Sequence, residues 1–351
     1  MARSPLQGPF VWTGAELANR AEWRIPLTRD MLAEIDAALA TVRRRGLGWD
    51  AMRREDFPLE ETARLLARVA DALEDGCGVV KLSGLPVGDY DEPDIRRLWY
   101  GLALHLGRPV SQSNAGLRMK IIRDEGATVG LTHGQMIDPD GSAFLSSYAR
   151  AVSNGALRFH TDRTDVVGLL CVGQASEGGL SKIASTVAIH NEILRRRPDL
   201  LELLYRPYPR SKLGEEKGGD RMVYELPVFG VRDGRFTSHY SRTYIEACQK
   251  LPEVPKLSAA QEEALDLMAE IAESICYRMV LAPGDIQLLN NHVIYHARGD
   301  FRDDPASGKV RQLYRIWLAM PNSRALPEDH AVLWGDVSAG AVRGGIAVAG
   351  A

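Results

Sequence analysis

From residue 144 onward the chain breaks into short extended runs, at 144–149, 157–162, 166–172, 181–187, 286–295 and 310–320, punctuated by Gly-rich or Pro-Gly turns. Strands of this length and spacing close on one another as a sandwich or barrel, because each carries a face that must be buried. Helical patterns over 190–205 and 258–279 interrupt the series, the second opened by Ser258 with Glu262 nearby. Upstream, Met31, Ile35, Leu39 and Val42 recur at helical spacing over 28–45, between Thr28 and Gly46. Two further helices over 59–73 and 91–106 flank a short buried strand at 77–82. Segment 107–143 mixes Gly, Ser, Asn and Asp with short apolar runs, which predicts loops and small strands at a pocket mouth. Residues 210–221, rich in Gly, Lys and Glu, predict an exposed mobile loop able to act as a lid, and residues 335–351 a loosely held tail. Large β units often exceed 200 residues, so one domain over 1–334 is expected, with 1–106 as helical and mixed support and 107–320 as the β core.

Within the second run lies His160-Thr-Asp162. On a strand, side chains at i and i+2 leave from one face, so an imidazole and a carboxylate would project side by side. A second histidine would complete a two-His, one-carboxylate face with open positions opposite, the donor set of non-haem iron(II) oxygenases. His296, at the end of an extended run and followed by Ala-Arg298-Gly, is the candidate. Arg298 reads equally well as a brace on backbone carbonyls at that strand exit. On the final run Arg311, Leu313, Arg315 and Trp317 share a face, which would aim two guanidinium groups into one cavity. Buried cations need anionic partners, and a dicarboxylate would satisfy them through bidentate pairing.

These residues in this order, together with the turn Gly178-Gly179-Leu-Ser181, residues 291–298 and the upstream Gly107-Arg-Pro-Val-Ser-Gln112, resemble the TauD/TfdA family of iron(II)/2-oxoglutarate-dependent dioxygenases. The resemblance implies a mainly β fold with helical insertions (α+β) around a double-stranded β-helix, or jelly-roll, core. It further implies that His160, Asp162 and His296 bind Fe(II), that Arg311 pairs with the distal carboxylate of 2-oxoglutarate, and that the Ser181 hydroxyl, where relatives commonly carry Thr, assists it. Arg315 matches a second arginine that lies near the substrate or the 2-oxoglutarate C1 carboxylate. Asn291, Gln112, Asn114 and Tyr148 are candidate substrate contacts, and His133 and His239 fall in segments at the pocket edge. The implied reaction consumes O2 and 2-oxoglutarate, releases succinate and CO2, and hydroxylates or desaturates an unactivated C–H of a small molecule for which Arg315 hints at negative charge. Because Asp162 is present, halogenation is disfavoured.

Other classes fare less well. A formal charge of −3 argues against a dedicated nucleic-acid binder, and no apolar run approaches a membrane span. Without an apolar leader, and with four scattered cysteines and no Cys-x-x-Cys, the expected setting is the cytoplasm with reduced thiols. Whether copies associate as a homo-oligomer stays open. Residues 46–51 match a dinucleotide fingerprint only superficially, since they follow a helix. No Gly-x-Ser-x-Gly elbow supports a serine hydrolase, and a zinc hydrolase would leave the arginine pair idle. The alternative in a different class is a catalytically silent jelly-roll protein that binds a small acid.

Overall fold

The computed structural model describes residues 3–214 and 223–348. Eleven strands, numbered in chain order, form its two principal sheets: β1 (Arg24–Pro26), β2 (Val79–Ser83), β3 (Arg108–Pro109), β4 (Met119–Ile122), β5 (Leu157–His160), β6 (Val166–Gly173), β7 (Ser181–Ser185), β8 (Tyr277–Met279), β9 (Ile286–Asn290), β10 (Ile294–Arg298) and β11 (Gln312–Ala319). The larger sheet runs β1-β2-β9-β6-β11-β3, with β4 also on β11; the smaller runs β8-β7-β10-β5. Apart from the parallel β1–β2 pair, every pairing is antiparallel. Val167, Leu289 and Trp317 of the larger sheet share a core with Phe159, Ile183 and Tyr295 of the smaller. This is the expected two-sheet jelly roll, with substantial helical additions.

Alternation along β11 decides which residues see the site. Tyr314, Ile316 and Leu318 face outward under the N-terminal helices, whereas Leu313, Arg315 and Trp317 face the space between the sheets. The helices Arg29–Arg44, Glu61–Glu74 and Glu92–Leu106 cover the outward face. Thr28 and Asp91 cap the first and third by accepting from the amides of Met31 and Asp94, as their residue types favour. Trp99 lies so close to β6 that a Cβ at Gly168 would fall 2.7 Å from its ring, and its indole N–H donates to the Tyr314 carbonyl at 3.0 Å. Helices Thr186–Arg196 and Ala259–Ile275 back the smaller sheet.

Several expectations are corrected. The run 144–149 is extended only over Ala143–Leu145, because the Ser146 hydroxyl accepts from Ala149 N and starts the helix Ser147–Ala151. Likewise β7 stops at Ser185, which caps the next helix; that helix breaks at Arg197, as Pro198 disfavours helical geometry before it. The helix opened by Ser258 is capped as expected, and its capping box is completed by Gln261. The run 286–295 is two strands joined by a turn in which Asn290 Oδ1 accepts from His292 N. The supposed exposed loop begins with Arg210 and Ser211, buried at the end of the strand Pro207–Ser211; residues 215–221 lie outside the described residues.

Nor is the tail loose over its described part. Arg343 and Ile346 are buried, and backbone amides of Gly345 and Ile346 donate to the carbonyls of Arg163 and Ser111. Glycine permits this approach: a Cβ on Gly344 would sit 2.7 Å from the Arg163 oxygen, and both Gly344 and Gly345 have positive φ. Arg343 Nε donates to Asp165 Oδ1 at 2.9 Å, and Asp165 also accepts from His292 Nε2 and Met320 N. Breaking such a pair leaves a buried carboxylate uncompensated, so Arg343→Met should lose about 3–5 kcal/mol in chemical denaturation. Burial lowers the pKa of His292 from 6.5 to about 4, in spite of Asp165. A depressed folded value means that this contribution is complete above about 6.5 and is lost as pH falls toward about 4, where denaturation midpoints should decline.

Candidate active site

β5 and β10 pair so that His160 stands directly opposite His296. A directly opposed antiparallel pair brings Cβ atoms to about 5 Å, and the two imidazole centroids lie 4.1 Å apart. Asp162 arrives differently from the expected strand geometry. β5 ends at His160, and the next residues turn: Thr161 N donates to the Tyr240 carbonyl, Asp162 N to Asn291 Oδ1 at 3.0 Å, and Thr164 N to the Asp162 carbonyl. The carboxylate is thus placed by a turn anchored to the β9–β10 connection. Its oxygens stand 3.9 Å from His160 Nε2 and 3.8 Å from His296 Nε2. Among the described residues these three form the one His/Cys/Asp/Glu group whose donor atoms converge, all within 4.8 Å.

The donor set fits a divalent metal. His160 Nδ1 lies 2.9 Å from the Arg158 carbonyl, which selects the tautomer with its proton on Nδ1 and leaves the Nε2 lone pair toward the centre. Burial lowers the pKa of His160, and that of His296 to about 3, so both present neutral imidazoles. Burial pushes the Asp162 carboxyl up, but Arg315 foremost, with the imidazoles and the Trp317 N–H, outweighs it and holds the group below the usual carboxylate range. Trp317 Nε1 donates to Asp162 Oδ2 at 2.9 Å, and Arg315 Nη1 lies 3.3 Å from Oδ1.

Two cavities meet at His160, Arg315 and Ala151. One holds His296, Ser181, Gln287 and Arg311 between apolar walls that include Leu169, Leu281 and Leu313. Arg311 is buried, its Nη1 has no hydrogen-bond partner, and burial lowers its pKa to about 10. That is a cation prepared for an anion. Ser181 Oγ donates to Gln287 Oε1 at 3.2 Å in the same cavity. The other cavity is lined by Tyr148, Ser147, Ser241, Tyr244, Arg163 and His239.

Of the candidate substrate contacts, Arg315 borders both cavities and Tyr148 one, and the other three border neither. Gln112 is fully buried behind the site, where its Oε1 accepts from Arg315 Nε at 2.7 Å and its Nε2 donates to the Arg315 and Arg118 carbonyls. Asn291 is buried and lines neither cavity, its Oδ1 holding the Asp162 backbone and its Nδ2 without a hydrogen-bond partner, while Asn114 sits exposed in the turn after β3 and also lines neither. His133 borders neither cavity; it pairs with Glu125 and packs on Tyr148. Arg298 donates to the carbonyls of Ala151, Ser153 and Gly155 and so braces the approach to β5. Trp317, marked in the sequence only by its place on the Arg315 face, and Lys120, unmarked there, join the site's surroundings; the alternation of Trp317 with Arg315 was the available signal.

Loss of a partner that orients a metal ligand commonly costs 10–100-fold in metal affinity or activity. Trp317→Phe keeps the ring and removes the donor to Asp162, so iron(II) affinity by competitive chelation should fall by about 10–100-fold with little change in stability.

The family model described as "Taurine catabolism dioxygenase TauD, TfdA family" matches residues 43–317. The chain is 32% identical to the FR-33289 synthase of Streptomyces rubellomurinus (strain ATCC 31215), over 93% of each protein. It is 29% identical to the taurine hydroxylase-like protein SAT17 of Stachybotrys chartarum (strain CBS 109288 / IBT 7711), over 89% of this chain and 79% of that one. The fold is similar to asparagine oxygenase, crystallised with Fe(II), 2S,3S-3-hydroxyasparagine and succinate, at TM-score 0.62 and 16% identity over 91% of this chain and 100% of that one. It is also similar to the non-heme iron oxygenase OrfP in complex with Fe and alpha-ketoglutaric acid, at TM-score 0.59 and 14% identity over 84% and 93%.

Proposed function

The chain belongs to the TauD/TfdA family and is a non-haem iron, 2-oxoglutarate-dependent oxygenase; we propose that it hydroxylates an unactivated C–H of a small, anion-bearing molecule, with His160, Asp162 and His296 holding the iron. One observation carries this reading: of three convergent neutral or anionic donors, His160 and His296 line a cavity with Arg311, a buried arginine whose Nη1 has no hydrogen-bond partner. A metal face and an anchored carboxylate are what a chelating 2-oxo diacid requires.

Bound at the three donors, iron(II) supplies the chemistry that couples oxidative decarboxylation of 2-oxoglutarate by O2 to oxidation of the substrate, with succinate and CO2 released. The protein's own groups do the rest. His160 and His296 offer lone pairs without first losing a proton, and Arg315 and Trp317 keep Asp162 ionised. Arg311 pairs with the distal carboxylate of 2-oxoglutarate, with the Ser181 hydroxyl beside it, while the leucine walls exclude water and strengthen that pairing. Substrate occupies the cavity of Tyr148, which reaches the same metal face through His160 and Asp162. Hydroxylation is favoured over desaturation by the hydroxylase-like name of one relative and the hydroxylated amino acids bound to fold neighbours. Those neighbours also support a small-molecule substrate. The silent-binder alternative finds no support, since all three donors are intact and converge.

Asp162→Ala should abolish succinate formation from 2-oxoglutarate, measured by mass spectrometry; undiminished succinate would sink the assignment. Truncating one partner of a desolvated charge pair costs about 2–5 kcal/mol. Arg311→Ala should therefore raise the KM for 2-oxoglutarate by at least about thirtyfold and weaken the visible charge-transfer band of the anaerobic iron(II) chelate to match.

A further inference from the structure

Lys120 lies on β4, whose register sets it directly opposite Arg315 on β11. The neighbouring pair on the same face is Ile122 and Leu313, both lining the cavity that contains His296, so Lys120 and Arg315 point to the interior of the sandwich. Like charges directly opposed across two strands are destabilising, more so when shielded from water. Among the described residues Arg315 pairs with one carboxylate, Asp162, and a bound metal would draw on that same group. Lys120 forms no ion pair among them: it is 5% exposed, and its Nζ makes no hydrogen bond. What it touches is the face of Tyr148, with Nζ 3.1 Å from the ring centroid. A cation–π contact answers part of the charge. It does not explain why the fold retains two buried cations side by side next to its site.

Resting on the proposed oxygenase reading, we propose that Lys120 and Arg315 together form the subsite for an oxyanion group of the substrate, a carboxylate, sulfonate or phosphonate, with Tyr148 as the ring that shifts to admit it. Tyr148 borders the substrate-side cavity while Lys120 lies behind it, so the ring covers the ammonium on the side from which an anion arrives. Arg315 reaches the same cavity directly. The hydroxyls of Ser147 and Ser241, bonded to each other at 2.9 Å on the cavity wall, provide further donors. Burial, and next the Arg315 charge, lower the Lys120 pKa to about 7, while Glu125, already paired with His133, opposes the shift. An arriving anion therefore meets an ammonium whose full charge it stabilises. The arrangement is also a selector: a neutral analogue would leave Lys120 without a hydrogen-bond acceptor in a dry site beside the Arg315 charge.

The test uses the full-length protein loaded with iron(II) and 2-oxoglutarate without oxygen. Acetate, methanesulfonate and methylphosphonate are titrated against the neutral probes N-methylacetamide and dimethyl sulfone, followed by calorimetry and by the shift of the chelate band. The wild type should bind at least one anion saturably and neither neutral probe. Lys120→Met should weaken anion binding at least tenfold, Lys120→Arg should hold it within about threefold, and both should bind 2-oxoglutarate as the wild type does. Binding of neutral probes as tightly as anions, failure of every anion to bind the wild type, or undiminished anion binding by Lys120→Met would overturn the subsite while leaving the oxygenase reading standing. So would a loss in Lys120→Met that falls on 2-oxoglutarate instead, since that would assign the pair to the co-substrate. Absence of the chelate band in the wild type would remove the oxygenase reading, and this proposal with it. The wild-type comparison of anions with neutral probes decides the matter even if Lys120→Met folds poorly.

Discussion

The site depends on one register. β5 and β10 pair so that His160 and His296 are directly opposed on the face turned toward the larger sheet. Because the side-chain period of a strand is two, a slip of one residue would turn one imidazole out of the pair and leave Asp162 with a single partner. The pinning is built from both sides. β10 is also held by β7 over the five positions from Ser181 to Ser185, and Arg298 ties the approach to β5 through three carbonyls. Asn291, just before β10, then grips the backbone of Asp162, so one short connection locates both the second histidine and the carboxylate.

Around that register, charge is distributed with an evident economy. Asp162 is held ionised by Arg315 and Trp317 from β11, while Arg311, immediately before the same strand, keeps a buried Nη1 with no hydrogen-bond partner. The leucines that wall the cavity make each of these charges count for more than it would in water. Arg315 in turn is oriented by Gln112, whose three hydrogen bonds consume its polar atoms.

Much of this was legible in the sequence, for reasons that can be named. Period-two alternation placed Arg315 and Trp317 on one inward face, and the helical pattern opened by Thr28 matched the structure closely. What failed was where a short polar side chain competes with the local backbone. Ser146 and Ser185 each stop an extended run by capping a helix, and Asn290 folds the expected single extended run 286–295 into two strands. The site had the same weakness: Asp162 sits on a turn, so its agreement with strand spacing to His160 was coincidental. Gln112 and Asn291 looked like substrate contacts because they are polar and near the motifs, yet their bonds run to groups far away in sequence. The tail misled for a related reason, since glycine-rich chain reads as disorder when it is also what permits backbone to pack against backbone.

The C-terminal clamp has a consequence for the order in which the molecule is made. Asp162 is oriented by side chains synthesised 153 and 155 residues after it, and Asp165, beside it, is closed over by an arginine 178 residues later. A growing chain therefore displays His160 and Asp162 for more than 150 residues of further synthesis before the groups that hold the carboxylate are made. Contacts of such long sequence separation form slowly, after most of the loop entropy has been given up. On the proposed assignment, metal-binding competence would arrive as one of the final events of folding, and a partly made chain would carry the first two of the three donors without the means to arrange them.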